Sequence, residues 1–181
     1  MIKPYEIYCD YDGVLVDLHK GMRNVLGKSY DPDEWHNNGE EKRELIRQHP
    51  NFWRDLPPMA DYSTLWSFIG PLHANILTAY AEWDKDECVE EKWLWNLKYT
   101  KVPANRFFCV GRAEKQLFAV SPEGRPNVLI DDYSLNIQEW RKAGGIGVMH
   151  HDAASTVMKL KNLGFYIDEF NSKLFGNYQT S

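Results

Sequence analysis

The stretch "YEIYCDYDGVLVD", residues 5–17, climbs through an apolar run to two aspartates, Asp10 and Asp12, and breaks at Gly13. The run has the length and character of a core strand. A strand that ends in two carboxylates one residue apart sets up like-charge repulsion and a desolvation cost. Such a pair either decorates a turn or answers something positive. Four further runs share its apolar character: "NILT" (75–78), "RFFCV" (106–110), "NVLI" (127–130) and "IGVM" (146–149). Near-continuous apolar composition suits strands covered on both faces, as in a parallel sheet.

Helix-like stretches separate these runs. "DYSTLWSFIGPL" (61–72) starts at a candidate cap, Asp61, and stops at Gly-Pro. "DECVEEKWLWNLKY" (86–99) is acidic in its first half and carries lysine near its end, which matches the helix dipole. "SLNIQEWRKAGG" (134–145) opens on a candidate Ser134 cap and closes on glycines. Alternating strands and helices specify an α/β fold with a doubly wound parallel sheet. One interval breaks the rhythm: the stretch between the first run and "NILT" is too long for a single crossover, and residues 18–58 fill most of it. They read as two or three short helices ending at a Pro-Pro hinge. The expected organisation is a core of residues 1–17 and 59–181, with 18–58 as a small helical cap inserted after the first strand.

Composition narrows the function. Hydrophobic residues make up 43% of the chain and charged residues 26%, which suits a soluble globular protein with one real core. The aromatic content is high, with 7 Trp, 10 Tyr and 8 Phe available for a core or a ligand pocket. A net charge of −5 argues against long nucleic acid held on a broad basic face. Three cysteines, Cys9, Cys88 and Cys109, form no CxxC pair and read as reduced thiols. With no leader-like or membrane-spanning run, the expectation is a cytoplasmic protein without a membrane partner; a homodimer is left open.

In a doubly wound sheet, ligands collect at the carboxyl ends of the strands. Asp10 and Asp12 follow the first run, and Thr78, Ala79 and Tyr80 end the second. Gly111, Arg112 and Lys115 follow the third, and Asp131 and Asp132 the fourth. Lys92 lies on the helix after Thr78. Asp10, Asp12 and Asp131 can converge into an all-oxygen site that suits Mg²⁺. A hard cation with one lysine and one hydroxyl is equipment for neutralising a phosphoryl group in transfer, and a carboxylate nucleophile splits such a transfer into two steps.

At this point "DYDGV" resembles the DxDGT/V signature of the haloacid dehalogenase superfamily. Thr78, Lys92 and "IDD" (130–132) are similar to its second, third and fourth motifs, in order. The resemblance covers about residues 5–150 and implies a Rossmann-like core. It implies that Asp10 is a nucleophile forming an aspartyl-phosphate, and that Asp12 protonates the leaving oxygen and then activates water. Mg²⁺ would be held by Asp10, Asp131 and the Asp12 carbonyl. Thr78 would bond phosphoryl oxygens and Lys92 would steady the charge, with Asp132 orienting Lys92 or a metal-bound water. An aspartate at the second position is characteristic of the superfamily's phosphatases and phosphotransferases. "DYDGVLVDL", "FWRDLPPMADYSTLW" and "CVEEKWLWNLKY" together look like the 5'(3')-deoxyribonucleotidases, in which a cap covers the nucleoside. That likeness implies a nucleoside monophosphate substrate, with Phe52, Trp53 and Trp35 on the base side and Arg112 and Lys115 helping with phosphate.

Plainer readings compete for several residues. Each cap aromatic is more often packing than stacking. His150 and His151 are adjacent, so they point opposite ways on a strand end, and they read as surface or rim residues. Asp17 reads as a helix cap at the mouth of the insert, "EEKREL" (40–45) as a solvated helix face, and Lys98 and Lys101 as rivals of Lys92. Other functions stay in view: a 3'-phosphatase acting on nucleic-acid ends, a phosphatase of another small phosphometabolite, and a non-catalytic binding module of the same fold.

Overall fold

The structure, a computed structural model, describes residues 5–31 and 39–167. All five apolar runs are strands: β1 (Ile7–Cys9), β2 (Asn75–Ala79), β3 (Phe107–Val110), β4 (Val128–Asp131) and β5 (Ile146–Met149). They pair in parallel in one five-stranded sheet of order β3-β2-β1-β4-β5. The chain leaves β1 for β2 and β3 on one side, then crosses to β4 and β5 on the other. That reversal makes the carboxyl end of β1 a topological switch point, where an open α/β sheet leaves a crevice. The register places Cys9 opposite both Ile76 and Ile130, so Asp10 emerges beside the last residues of β2 and β4.

Six helices complete the described fold: α1 (Leu18–Leu26), α2 (Glu40–Arg47), α3 (Tyr62–Ile69), α4 (Lys85–Lys98), α5 (Ser134–Lys142) and α6 (Ala153–Asn162). Strand alternation divides the core in two, because successive side chains point to opposite faces. Ile7, Cys9, Ile76, Val128 and Ile130 face a large cluster with Leu65, Trp95 and Leu160. Tyr8, Leu77 and Leu129 face a smaller one with Ile137 and Trp140. The buried Trp140 indole still finds an acceptor, donating to Asn127 O at 3.0 Å. Cys9 and Cys88 are buried, Cys109 is half-buried, and all three are free thiols. No helix among the described residues is long and apolar enough to cross a membrane.

The segment after β1 packs into the same apolar cluster as the sheet, through Met22, Leu26, Ile46, Phe52, Trp53 and Leu56. Gly21 on α1 meets Leu56 so closely that a Cβ there would lie 2.1 Å from its Cδ2. The Pro-Pro stretch is more than a hinge: it is stitched to the start of the insert. Asp17 N donates to Pro57 O at 2.8 Å, and Met59 N to Leu15 O at 2.9 Å. Asp17 also caps α1, accepting from Lys20 N at 2.9 Å.

Two caps differ from the sequence expectation. Asp61 precedes α3 but makes no side-chain bond to it. Its carboxylate accepts from Ala153 N at 2.6 Å, at the start of α6. Asp152 accepts from Ser155 N at 2.7 Å, so two acids serve one helix start. Ser134 is not the cap of α5; Tyr133 stands at that position, and its N–H donates to Asp131 Oδ1 at 2.9 Å. His150 is likewise not a rim residue. It is 2% exposed, with Nδ1 2.8 Å from Thr156 Oγ1, and burial holds its pKa below the usual imidazole value. His151 is exposed, as expected.

The Asp61–Ala153 bond ties α6 to the start of α3 across the fold. Asp61→Ala is expected to cost about 1 kcal/mol and lower the thermal midpoint by about 2–4 °C. Asp61→Asn, which keeps an acceptor oxygen, is expected to recover most of that loss. Thermal unfolding followed by circular dichroism reads both, and an unchanged midpoint in Asp61→Ala removes the bond from the account.

Candidate active site

Asp10 continues β1, its N–H donating to Ile130 O at 3.0 Å. The chain then turns tightly: the N–H groups of Val14, Leu15 and Val16 all converge on Tyr11 O, at 3.0, 2.8 and 2.9 Å. Gly13 sits at φ +75° in this turn, and a Cβ there would lie 2.0 Å from Asp132 Oδ2. Only a glycine lets the loop and Asp132 approach so closely. Tyr11, between the two aspartates, points the other way into the core, its ring 4.9 Å from Trp95 and 5.9 Å from Phe107. The buried tyrosine anchors the loop, and Asp10 and Asp12 are turned to a common cavity.

That cavity is about 370 Å³ in volume. Asp10, Asp12 and Gly13 form its floor with Ala79. Arg112, Lys115, Asp132, Tyr133 and Asn136 form one wall, and Leu18, His19 and Tyr30 from the insert form the other. His19 Nδ1 and Tyr30 OH are hydrogen-bonded to each other, so the insert presents them as a joined pair.

The electrostatics rest on two buried lysines. Lys115 is 3% exposed and lies on the 3₁₀ segment Arg112–Phe118 that follows β3. Its Nζ reaches Asp10 Oδ1 at 2.9 Å and Asp131 Oδ2 at 2.8 Å. Lys92 is 2% exposed on α4 and donates to Asp12 Oδ2 at 2.6 Å, Thr78 Oγ1 at 3.0 Å and Ala79 O at 2.8 Å. Burial opposes the charge on each lysine, but the facing carboxylates outweigh it, so both pKa values lie above the usual one. Burial, then repulsion from Asp131, Asp12 and Asp132, holds the Asp10 carboxyl well above the ordinary range, against the pull of Lys115. Burial, with Asp131 and Asp12 beside it, pushes Asp132 up to about 6.

Asp10, Asp131 and Asp132 each bring a carboxylate oxygen within 4.8 Å of the others. Asp131 is held rigidly by Asn136 Nδ2, at 3.1 and 2.9 Å from its two oxygens, and by the Tyr133 amide. Three hard carboxylates with one lysine touching two of them leave negative charge uncompensated. The donor set therefore fits a divalent cation such as Mg²⁺, which prefers oxygen ligands. Asp12 belongs to a different pairing. Its Oδ2 is on Lys92, while its Oδ1 is buried without a hydrogen-bond partner among the described residues.

Several expectations shift in place. Lys115, not Lys92, touches Asp10; Lys92 lies across the loop at Asp12, with Trp53's ring 5.5 Å beneath its Nζ. Thr78 is fully buried with its hydroxyl on Lys92, and Asp132 sits in the acidic cluster with Asp10 and Asp131. Phe52 and Trp53, expected on the base side, are 5% and 3% exposed and pack in the core. The Trp53 indole donates to Asp84 Oδ2 at 2.7 Å. Tyr80 lies off the cavity under Lys85, whose Nζ is 4.5 Å from its ring. Arg112 lines the cavity, its guanidinium on Glu139 at 2.7 Å and Asn136 at 3.2 Å. Trp35 falls outside the described residues. Sequence reading missed Leu18, His19, Tyr30, Tyr133 and Asn136. Only Asn136 had a signal, as a polar residue in the first turn after the paired aspartates.

No family model and no curated protein matches the sequence. Solved structures do. A hydrolase from Streptococcus pneumoniae TIGR4 superposes with a TM-score of 0.52 at 14% identity, over 88% of this chain and 100% of its own. A haloacid dehalogenase-like family hydrolase from Streptococcus pneumoniae gives 0.50 at 11% identity, over 96% and 98%. The L-2-haloacid dehalogenase from Xanthobacter autotrophicus gives 0.51 at 13% identity, over 94% and 86%. At these identities the likeness is one of architecture: this chain has the fold of the haloacid dehalogenase-like hydrolases.

Proposed function

We propose that the chain hydrolyses phosphate monoesters through an aspartyl-phosphate on Asp10, with nucleoside monophosphates as the substrate class. The observation that carries this reading is the division of labour on one loop. Asp10 is braced by the Tyr11 amide at 2.8 Å and Lys115 at 2.9 Å, while Asp12, held separately by Lys92 at 2.6 Å, lines the same cavity. With one oxygen of Asp10 fixed, the other attacks phosphorus. As that bond forms, the bond to the leaving oxygen breaks, and Asp12 gives that oxygen its proton. Asp12 then takes a proton from water, whose oxygen attacks phosphorus, and inorganic phosphate leaves with Asp10 regenerated. Departing halide needs no proton, so a second acid positioned in this way favours ester hydrolysis over dehalogenation.

Lys115 balances the charge on Asp10 and Asp131, and Lys92 fixes the orientation of Asp12. Asp10, Asp131 and Asp132 would hold Mg²⁺, which when bound supplies charge neutralisation at the phosphoryl oxygens. Arg112 stands at the same wall as a further cation. For a nucleoside, the flat side chains that line the cavity and remain exposed are His19 and Tyr133, rather than Phe52, Trp53 or the buried Tyr30. Their rings suit a base and supply the support for the nucleotide reading that the buried aromatics do not.

Phosphate release is to be measured on p-nitrophenyl phosphate, 5'- and 3'-nucleoside monophosphates and 3'-phosphorylated oligonucleotides, with 2-chloropropionate as the dehalogenase arm. Nucleoside monophosphates are expected to be the best substrates. Asp10→Asn is expected to lose about 10³-fold or more in kcat, and Asp12→Asn about 10²–10⁴-fold. Undiminished turnover by Asp10→Asn sinks the mechanism. Chelation with EDTA should abolish turnover and Mg²⁺ restore it, while Asp132→Asn should raise the Mg²⁺ concentration at half-maximal rate by about 10–100-fold. Lys115→Met, similar in length but uncharged, is expected to lower kcat by about 10²–10³-fold, as steady-state kinetics would show.

A further inference from the structure

A second cavity, about 520 Å³ in volume, opens away from the acidic cluster. It lies against the residues that lead into β2 and β3, among them His73 and Arg106, and so at the amino ends of strands whose carboxyl ends face the first cavity. Its apolar walls are the rings of Tyr62 and Trp66 on α3 and of Tyr99 just after α4.

The charge here runs against that of the chain. With a net charge of −5 overall, the protein lines this one cavity with His73, Lys98, Lys101 and Arg106 and with no acidic residue. Arg106 carries the sharper signal. One terminal nitrogen donates to Ala74 O at 3.1 Å, but its Nε–H is buried with no acceptor among the described residues. A buried guanidinium N–H is seldom left unpaired, because a lost hydrogen bond to a charged group is expensive.

We propose that this cavity is a second ligand site, distinct from the acidic one, that takes a small anion with a planar aromatic body. The anionic group would meet Arg106 and the lysines, and the ring would lie among Tyr62, Trp66 and Tyr99. Anion recognition by a guanidinium within aromatic walls requires both halves of the ligand. The inference does not depend on the phosphatase reading, since it can be tested without turnover.

The test is calorimetric titration of the full chain with 1-naphthalenesulfonate and, separately, with neutral 1-naphthalenemethanol. The sulfonate is expected to bind one equivalent about tenfold or more tighter than the alcohol, and Arg106→Gln to remove about that difference. Should Arg106→Gln fail to fold, Lys98→Gln combined with Lys101→Gln alters only exposed lysines and is expected to weaken sulfonate binding in the same direction. Equal affinity for the two probes, or unchanged affinity in these variants, overturns the proposal. So does a comparable loss in Lys115→Met, which would place the probe in the acidic site.

Discussion

Carboxylates crowded at the carboxyl ends of β1 and β4, and the two buried lysines that answer them, are the constraint around which the molecule is organised. A buried charge without a partner costs several kcal/mol, so neither set can be buried without the other. Lys115 arrives on the segment after β3, and Lys92 on the helix after β2. Each crossover must therefore pack correctly before the aspartates at the centre of the sheet can be buried. Folding and ordering of the cavity are the same event, since the contacts that balance the charge also orient Asp10 and Asp12.

Tyr11 is the mechanical counterpart of that balance. Were the DYD loop flexible, Asp10 and Asp12 would lose their shared cavity. The phenol runs into the core against Trp95 and Phe107, and its hydroxyl lies 3.4 Å from Thr100 Oγ1. Gly13 completes the turn by giving Asp132 room. The loop is thus locked from behind by packing and in front by close approach.

The insert after β1 shows how the aromatic surplus is used. Trp53 backs Lys92, Phe52 packs against Trp53 at 4.9 Å between centroids, and the whole patch joins the sheet's apolar cluster. Among the described residues, the insert reaches the cavity through Leu18, His19 and Tyr30.

Sequence alone determined the strands, because apolar runs leave a local imprint in "YEIYC", "NILT", "RFFCV", "NVLI" and "IGVM", although the edge strands β3 and β5 are largely half-buried. It also placed Asp10, Asp12, Asp131 and Asp132 at one edge, since parallel strands direct their carboxyl ends the same way. What it left undecided was which groups would meet. Lys115 was legible as a residue after β3 and a helper for phosphate but not as the partner of Asp10, and the charge-steadying role was read onto Lys92, with Lys98 and Lys101 as its rivals. Helix α6, the turn of Asp61 toward it and the burial of His150 carried no local signature either. Tertiary structure decided these, for pairing depends on how far each crossover reaches and on which carboxylate lacks compensation when the sheet closes. Those quantities exist only once the strands lie side by side.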